Sequence, residues 1–302
     1  MATHSTPLAA RRRARWFPLV LVATLMVAMV ATVSTQPPAV ARRIITVIPA
    51  VTEILFALGA GQQVVGIGSF DDLPTGAPEI ARVGGLLDPD MERMFTLRPD
   101  LVVLYASQAD PRAQLERAGI PVLPYTHAGL ADIGDTIRAL GERTGHTEEG
   151  TRLADDLEKG FEALRMRLVG RERPRTLLVF SREPRGLRNV YASGGIGFLH
   201  DILEAAGGDN VFKDVRSERV AQVSSEAILS EAPQAIIELR NTGMFDDDSL
   251  DTERAVWRQL ATVPAVRTNR VYFLTGNEFV VPGPRVLEAA ERLARVLHPD
   301  AF

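Results

Sequence analysis

Three arginines crowd one eight-residue stretch, SREPRGLR (181–188), at Arg182, Arg185 and Arg188. Guanidinium forks bind carboxylate, catecholate or phosphate oxygens in bidentate fashion, so the stretch could hold an anionic chelate. Its bland alternative is a solvated basic loop. Tyr105 and His127 carry the groups that ligate haem iron, although a single loop histidine is more often an ordinary surface group. Free zinc or manganese would need several converging His and carboxylates. The remaining histidines, His4, His146, His200 and His298, are scattered or fall in helices. No G-x-S-x-G and no H-E-x-x-H occurs, so no hydrolase signature is present. Three other patterns are decoys. Gly59-Ala60-Gly61 follows a helix instead of a strand, the wrong order for a dinucleotide fingerprint. Asp246 to Asp248 with Asp251 lack the Gly and terminal Glu of a calcium loop. Ser193-Gly194-Gly195-Ile196-Gly197 precedes a helix and could offer amides to an anion, or simply start that helix.

The chain has 302 residues, 46% of them hydrophobic and 24% charged, which suits a packed protein of one large or two ordinary domains. It has no cysteine. That excludes disulfides, thiolate metal sites, a cysteine nucleophile and a bacterial lipid anchor. Arg11, Arg12, Arg13 and Arg15 precede an apolar run from Trp16 to Val33, and Ala39-Val40-Ala41 follows. A basic region, an apolar core and an A-x-A site describe a secretory signal peptide over 1–41, with an uncleaved membrane anchor as the alternative. Removing 1–41 takes away four Arg and no acid, leaving 30 basic against 38 acidic side chains, a net charge of −8. An acidic exported chain lacks the basic face that nucleic acid requires.

Seven short apolar runs read as buried strands: Ile44–Ile48, Val64–Ile67, Leu101–Leu104, Pro121–Leu123, Thr176–Phe180, Ala235–Glu238 and Val271–Leu274. Most are continuously apolar, as in a parallel sheet covered on both faces, and helical patterns alternate with them. From about Glu148 to Val169, residues Leu153, Leu157, Phe161, Leu164 and Leu168 draw one apolar stripe along a long helix. It divides the chain into an N-terminal α/β lobe (42–146), a connecting helix (147–170) and a C-terminal α/β lobe (171–302). An internal repeat supports two lobes. Residues 90–104 (DMERMFTLRPDLVVL) align with 224–238 (SSEAILSEAPQAIIE) at an offset of 134, pairing Glu92 with Glu226 and Pro99 with Pro233. A second echo pairs LFALGAG (55–61) with LEAAGG (203–208). Two similar lobes imply a ligand cleft between them, built from loops at strand C-terminal ends. Those loops hold Phe70, Tyr105 and His127 in the first lobe, and Arg182 to Tyr191, Asn241 and Phe279 in the second.

RIITVIPAVTEILFALGAGQQVVGI (43–67) and RVGGLLDPDMERMFTLRPDLVV (82–103), with YASGGIGFLHDILEAAGGDNVF (191–212), VSSEAILSEAPQAII (223–237) and PGPRVLEAAERLARVLHP (282–299), resemble the cobalamin and ferric-siderophore binding proteins of ABC importers. The resemblance spans almost all of 43–299. It implies two α/β lobes joined by one long helix, no catalytic activity, no resident cofactor, a periplasmic location, and delivery of a metal chelate to a permease. It also implies that Glu92 and Glu226, one per lobe, dock on arginine pockets of that permease, where each would otherwise merely complement its helix. Phe70 and Tyr105 fall where cobalamin-binding members carry an aromatic platform. Leu86 and Glu278 depart from that pattern, since aromatic residues are usual there. The expected ligand is therefore a corrinoid or a ferric siderophore. Haem remains an alternative within the family, as does an exported tetrapyrrole-handling enzyme on the same scaffold or an adaptor with a vestigial cleft. The protein is expected to act as a monomer, with little lobe motion around a stiff helix.

Overall fold

The expected strands form, and they sort into two separate sheets. The computed structural model describes residues 39–302, except 74–75, 127–128, 217–218, 241–246 and the side chains of 247–249. The first sheet contains β1 (Ile44–Thr46), β2 (Val64–Ile67), β3 (Ala81–Arg82), β4 (Leu101–Tyr105) and β5 (Val122–Tyr125), in the order β3-β2-β1-β4-β5. All its pairings are parallel. The crossovers pass through α1 (Pro49–Ala57), α2 (Met91–Thr96) and α3 (Ala109–Arg117). Ile44, Ile45 and Thr46 are all wholly buried, as befits a central strand covered on both faces.

Two helices follow. α4 (Leu130–Thr144) and α5 (Thr147–Arg167) are joined by Gly145, whose φ of 78° ends α4 in the left-handed conformation that glycine adopts without penalty. α5 is the expected long helix. It buries Gly150, Ala154, Leu157 and Leu164, and Leu153 and Phe161 pack partly buried beside them.

The second sheet holds β6 (Arg175–Ser181), β7 (Val190–Ser193), β8 (Asp209–Asn210), β9 (Val220–Val223), β10 (Ala235–Arg240) and β11 (Val271–Thr275). Its order is β11-β10-β6-β7-β9, and β8 pairs with the start of β6. β11, β10 and β6 are parallel, whereas β7 runs antiparallel to β6 and β9 antiparallel to β7. This mixed edge was invisible in the sequence, because β7 and β9 are short and lack a continuous apolar run. The helices here are α6 (Phe198–Ala205), α7 (Ser225–Glu231), α8 (Asp247–Val256), α9 (Pro264–Arg267) and α10 (Val286–Leu297).

Alternation along β6 and β10 divides the second lobe's core. Leu178, Ala235, Ile237 and Leu239 join a large cluster that runs from Ile44 and Leu104 through α5, α6 and α10. Leu177, Val179 and Ile236 face a smaller cluster around Trp257 and Leu260. The two lobes thus share one continuous core behind the cleft, and residues 40–302 form a single compact unit. Ala41 belongs to that core. It is 3% exposed and its amide donates to the Arg143 carbonyl, so packed structure begins just ahead of the expected leader boundary. Residues 1–38 of the expected leader lie outside the described residues.

The repeat has the same local structure in both lobes. Asp90 caps α2 by accepting the Arg93 amide at 2.9 Å, and Ser224 caps α7 by accepting the Ala227 amide at 3.2 Å. Met94 and Ile228 are the buried residues of the two helices. Each helix leaves through a left-handed, non-glycine residue before its proline: Arg98 with φ 47° and Ala232 with φ 45°. β4 and β10 then take equivalent places, each beside a central strand.

Candidate functional site

The loops after β1, β2 and β4 gather at the strand C-terminal ends of the first lobe, where the ligand cleft is expected. Residues 68–72 are clamped from beneath. One guanidinium nitrogen of Arg82 donates to the carbonyls of Gly68, Ser69 and Asp71 at 2.9, 3.1 and 3.1 Å, and its second nitrogen donates to Asp71 as well. The clamp leaves Phe70 pointing outward, 83% exposed, with its ring beside Gly85. Leu87 is 93% exposed and Leu86 is also exposed on the adjoining loop. Gly84 makes that loop possible, since a Cβ there would sit 2.1 Å from the Asp88 carbonyl oxygen and its φ is 83°. Buried Gln108 ties the loops together. Its Oε1 accepts the Tyr105 amide at 3.0 Å, and its Nε2 donates to the Leu86 carbonyl at 2.9 Å. Tyr105 is half-buried and meets Tyr125 edge to face at 5.7 Å. Burial, and secondarily the charge of Asp71, push its phenol above the usual range.

Asp71 is the least comfortable group in this lobe. It is 2% exposed, and neither carboxylate oxygen reaches hydrogen-bonding geometry with a neighbour. Burial raises its carboxyl to about 6, opposed by nearby Thr52, Gly68 and Arg82. Its neighbour Asp72 points the other way, and its Oδ2 accepts a hydrogen bond from Asn277 Nδ2 at 2.7 Å across to the second lobe.

In the second lobe Tyr191 lies on β7, 38% exposed, opposite Ser181 and Gln222. The arginine trio does not act as a trio. Arg182 has only 1% of its side chain exposed and is paired with Glu238 at 3.0 Å and Glu253 at 2.7 Å. Arg240 joins both carboxylates, and Trp257 Nε1 donates to Glu238 at 3.0 Å. Arg182 is therefore corrected from a ligand-facing residue to the centre of a buried ion network. The reason is that two carboxylates from β10 and α8 reach its fork before any solvent does. Arg185 is exposed with φ 57°, its amide bonded to Glu253. Arg188 is 83% exposed at the side chain and paired with Glu183. Phe279 is corrected likewise. It is wholly buried beneath the Arg292 guanidinium, 4.9 Å from its ring centre, in the core shared by both lobes. Beside it, buried Glu278 pairs with Arg292 and Arg285. His127 and Asn241 lie outside the described residues.

Two amides of the glycine-rich turn before α6 are already taken. The Gly194 and Gly195 amides already donate to the Arg219 and Val215 carbonyls. A Cβ on Gly195 would fall 1.7 Å from the Lys213 carbonyl oxygen, so the glycine answers close backbone packing. Among the described residues no group of three or more His, Cys, Asp or Glu is placed to hold a metal ion. No helix among them is long and apolar enough to cross a membrane. Glu92 and Glu226 are both exposed, each in the first turn of its helix.

Two α/β lobes with a shared rear core and an open rim of loops define a two-lobed solute-binding protein. The periplasmic binding protein family model matches residues 44–278, and the chain belongs to that family. The vitamin B12-binding protein of Salmonella typhimurium is 32% identical over 259 residues, covering 85% of this chain and 90% of the relative. That of Yersinia pestis is 27% identical over 263 residues, covering 86% and 88%. Among solved structures, the periplasmic vitamin B12 binding protein of Vibrio cholerae superposes with a TM-score of 0.72 at 27% identity, covering 86% of this chain and 98% of that one. A periplasmic haem-binding protein from Roseiflexus shares the fold, with a TM-score of 0.70 at 24% identity over 86% and 99%.

Proposed function

We propose that the mature protein captures a corrinoid outside the cytoplasmic membrane and delivers it to an ABC importer permease. The observation that carries this reading is the outward apolar rim of Phe70, Leu86 and Leu87. A broad macrocycle with apolar faces and amide edges needs such a surface to stack on. It agrees with the relatives above 30% identity, which are vitamin B12-binding proteins. An anionic ferric chelate fits less well. It would need free guanidinium forks, and Arg182 and Arg188 are engaged by carboxylates. Haem is the alternative within the family, with the Tyr105 phenol as the group that would ligate its iron.

On this reading Phe70, Tyr105 and Tyr191 contact the ligand, Arg185 stands at its rim, and Glu92 and Glu226 dock on the permease. The leader directs export, no catalytic step is required, and the protein works as a monomer without a resident cofactor. The test is titration of the purified protein with cyanocobalamin, haem and a ferric catecholate, followed by absorption and thermal melting. Cyanocobalamin at a hundredfold excess over its Kd should stabilise the fold by about 2.7 kcal/mol. Phe70→Ala should weaken binding about tenfold without lowering the melting temperature of the free protein. A shift with haem or the ferric chelate and none with cyanocobalamin would overturn the corrinoid reading.

A further inference from the structure

Glu92 and Phe95 sit three residues apart on α2, so they are neighbours on one helix face. The other side of the helix is occupied by wholly buried Met94. In the second lobe Glu226 and Leu229 stand in the same relation on α7, with Ile228 buried. Phe95 is 37% exposed and Leu229 is 41% exposed. The two apolar residues are related by the same 134-residue offset as the two glutamates, the two N-caps, the two buried anchors and the two left-handed exits. A single exposed apolar side chain needs no explanation. Its recurrence beside the same charge, at the same helix position, in both lobes does.

We propose that Phe95 and Leu229 are the apolar halves of two equivalent docking points for the membrane permease. Each lobe then offers one carboxylate and one hydrophobic knob on the same helix face. The inference rests on the docking reading of Glu92 and Glu226. Its physical content is that an exposed ion pair in water contributes little. A contact that excludes water beside it lowers the local dielectric and strengthens the pair. The matching surface is a guanidinium flanked by an apolar pocket. Two copies of it are needed, one facing each lobe.

The experiment measures binding of the purified protein to nanodiscs holding the ABC importer that takes up cobalamin in the protein's own host. Phe95→Ser combined with Leu229→Ser should weaken docking at least tenfold. The steepness of its salt dependence, the cyanocobalamin affinity and the melting temperature should not change. Phe95→Leu should dock like the unaltered protein. Glu92→Gln combined with Glu226→Gln should weaken docking and flatten its salt dependence. If the serine variant lowers the melting temperature, Phe95→Gln with Leu229→Gln replaces it. If the glutamine-for-glutamate variant fails to dock while the serine variant docks normally, the present inference falls and the docking reading stands. If the glutamine-for-glutamate variant docks normally, or the unaltered protein does not bind, both fall.

Discussion

Glu53 on α1 and Arg285 just ahead of α10 meet at 2.6 Å although 232 residues separate them in the chain. The pair ties the first lobe to the second at the base of the cleft, and Arg285 also faces buried Glu278 at 3.8 Å. Together with the Asp72–Asn277 hydrogen bond it resists separation of the lobes. Arg285→Ala should destabilise the fold by about 1–2 kcal/mol, since one carboxylate is mostly shielded and the other buried. It should also enlarge the radius of gyration of the free protein. Chemical denaturation and small-angle scattering measure both, and an unchanged midpoint with an unchanged radius would contradict the tie.

Asp71 gives a signed pH dependence. Its folded pKa of about 6 lies above its ordinary value of 3.8. The folded state therefore holds the proton more tightly than the unfolded state does. Stability is full below the ordinary value and falls as pH rises towards 6. The shift corresponds to about 3 kcal/mol, and a buried amide would retain about 1 kcal/mol of desolvation. Asp71→Asn should thus stabilise the protein by about 2 kcal/mol at pH 8, with the gain shrinking as the solution is acidified. Denaturation midpoints at pH 5 and pH 8 decide the point, and an equal effect at both would refute it.

The basic stretch should respond unevenly to mutation. Arg182→Met leaves Glu238 and Glu253 with only Arg240 between them and should cost about 3 kcal/mol or more. Arg188→Ala touches an exposed pair and should change stability by less than about 0.5 kcal/mol. If the two variants unfold at the same urea concentration, Arg182 is not the centre of the network.

Ala232 occupies a left-handed conformation with φ 45° and ψ 57° at the end of α7. A non-glycine residue is strained there by about 1 kcal/mol. Ala232→Gly should raise stability by about 0.5–1 kcal/mol, and Arg98→Gly should act alike at the matching exit of α2. A loss of stability in both variants would mean that the conformation carries no strain.

The seven principal strands, the long helix over Thr147–Arg167, and the repeat that makes Glu92 and Glu226 equivalent were legible in residue order alone. Each of these rests on local signals: continuous apolar runs, a stripe at helical spacing, and a cap and proline at fixed offsets. The outward rim was half legible. Phe70 follows from its loop, but Leu87 reads like any core leucine until the Gly84 turn carries its loop outward. Long-range packing settled which arginines are engaged by carboxylates, that Phe279 and Glu278 are buried, that Asp71 is buried beside exposed Asp72, and that β7 and β9 turn antiparallel. Those outcomes depend on partners distant in the chain, such as Arg182 with Glu238 and Glu253, or Asp72 with Asn277. Local spacing carries no information about contacts that form only when strands and helices close into three dimensions.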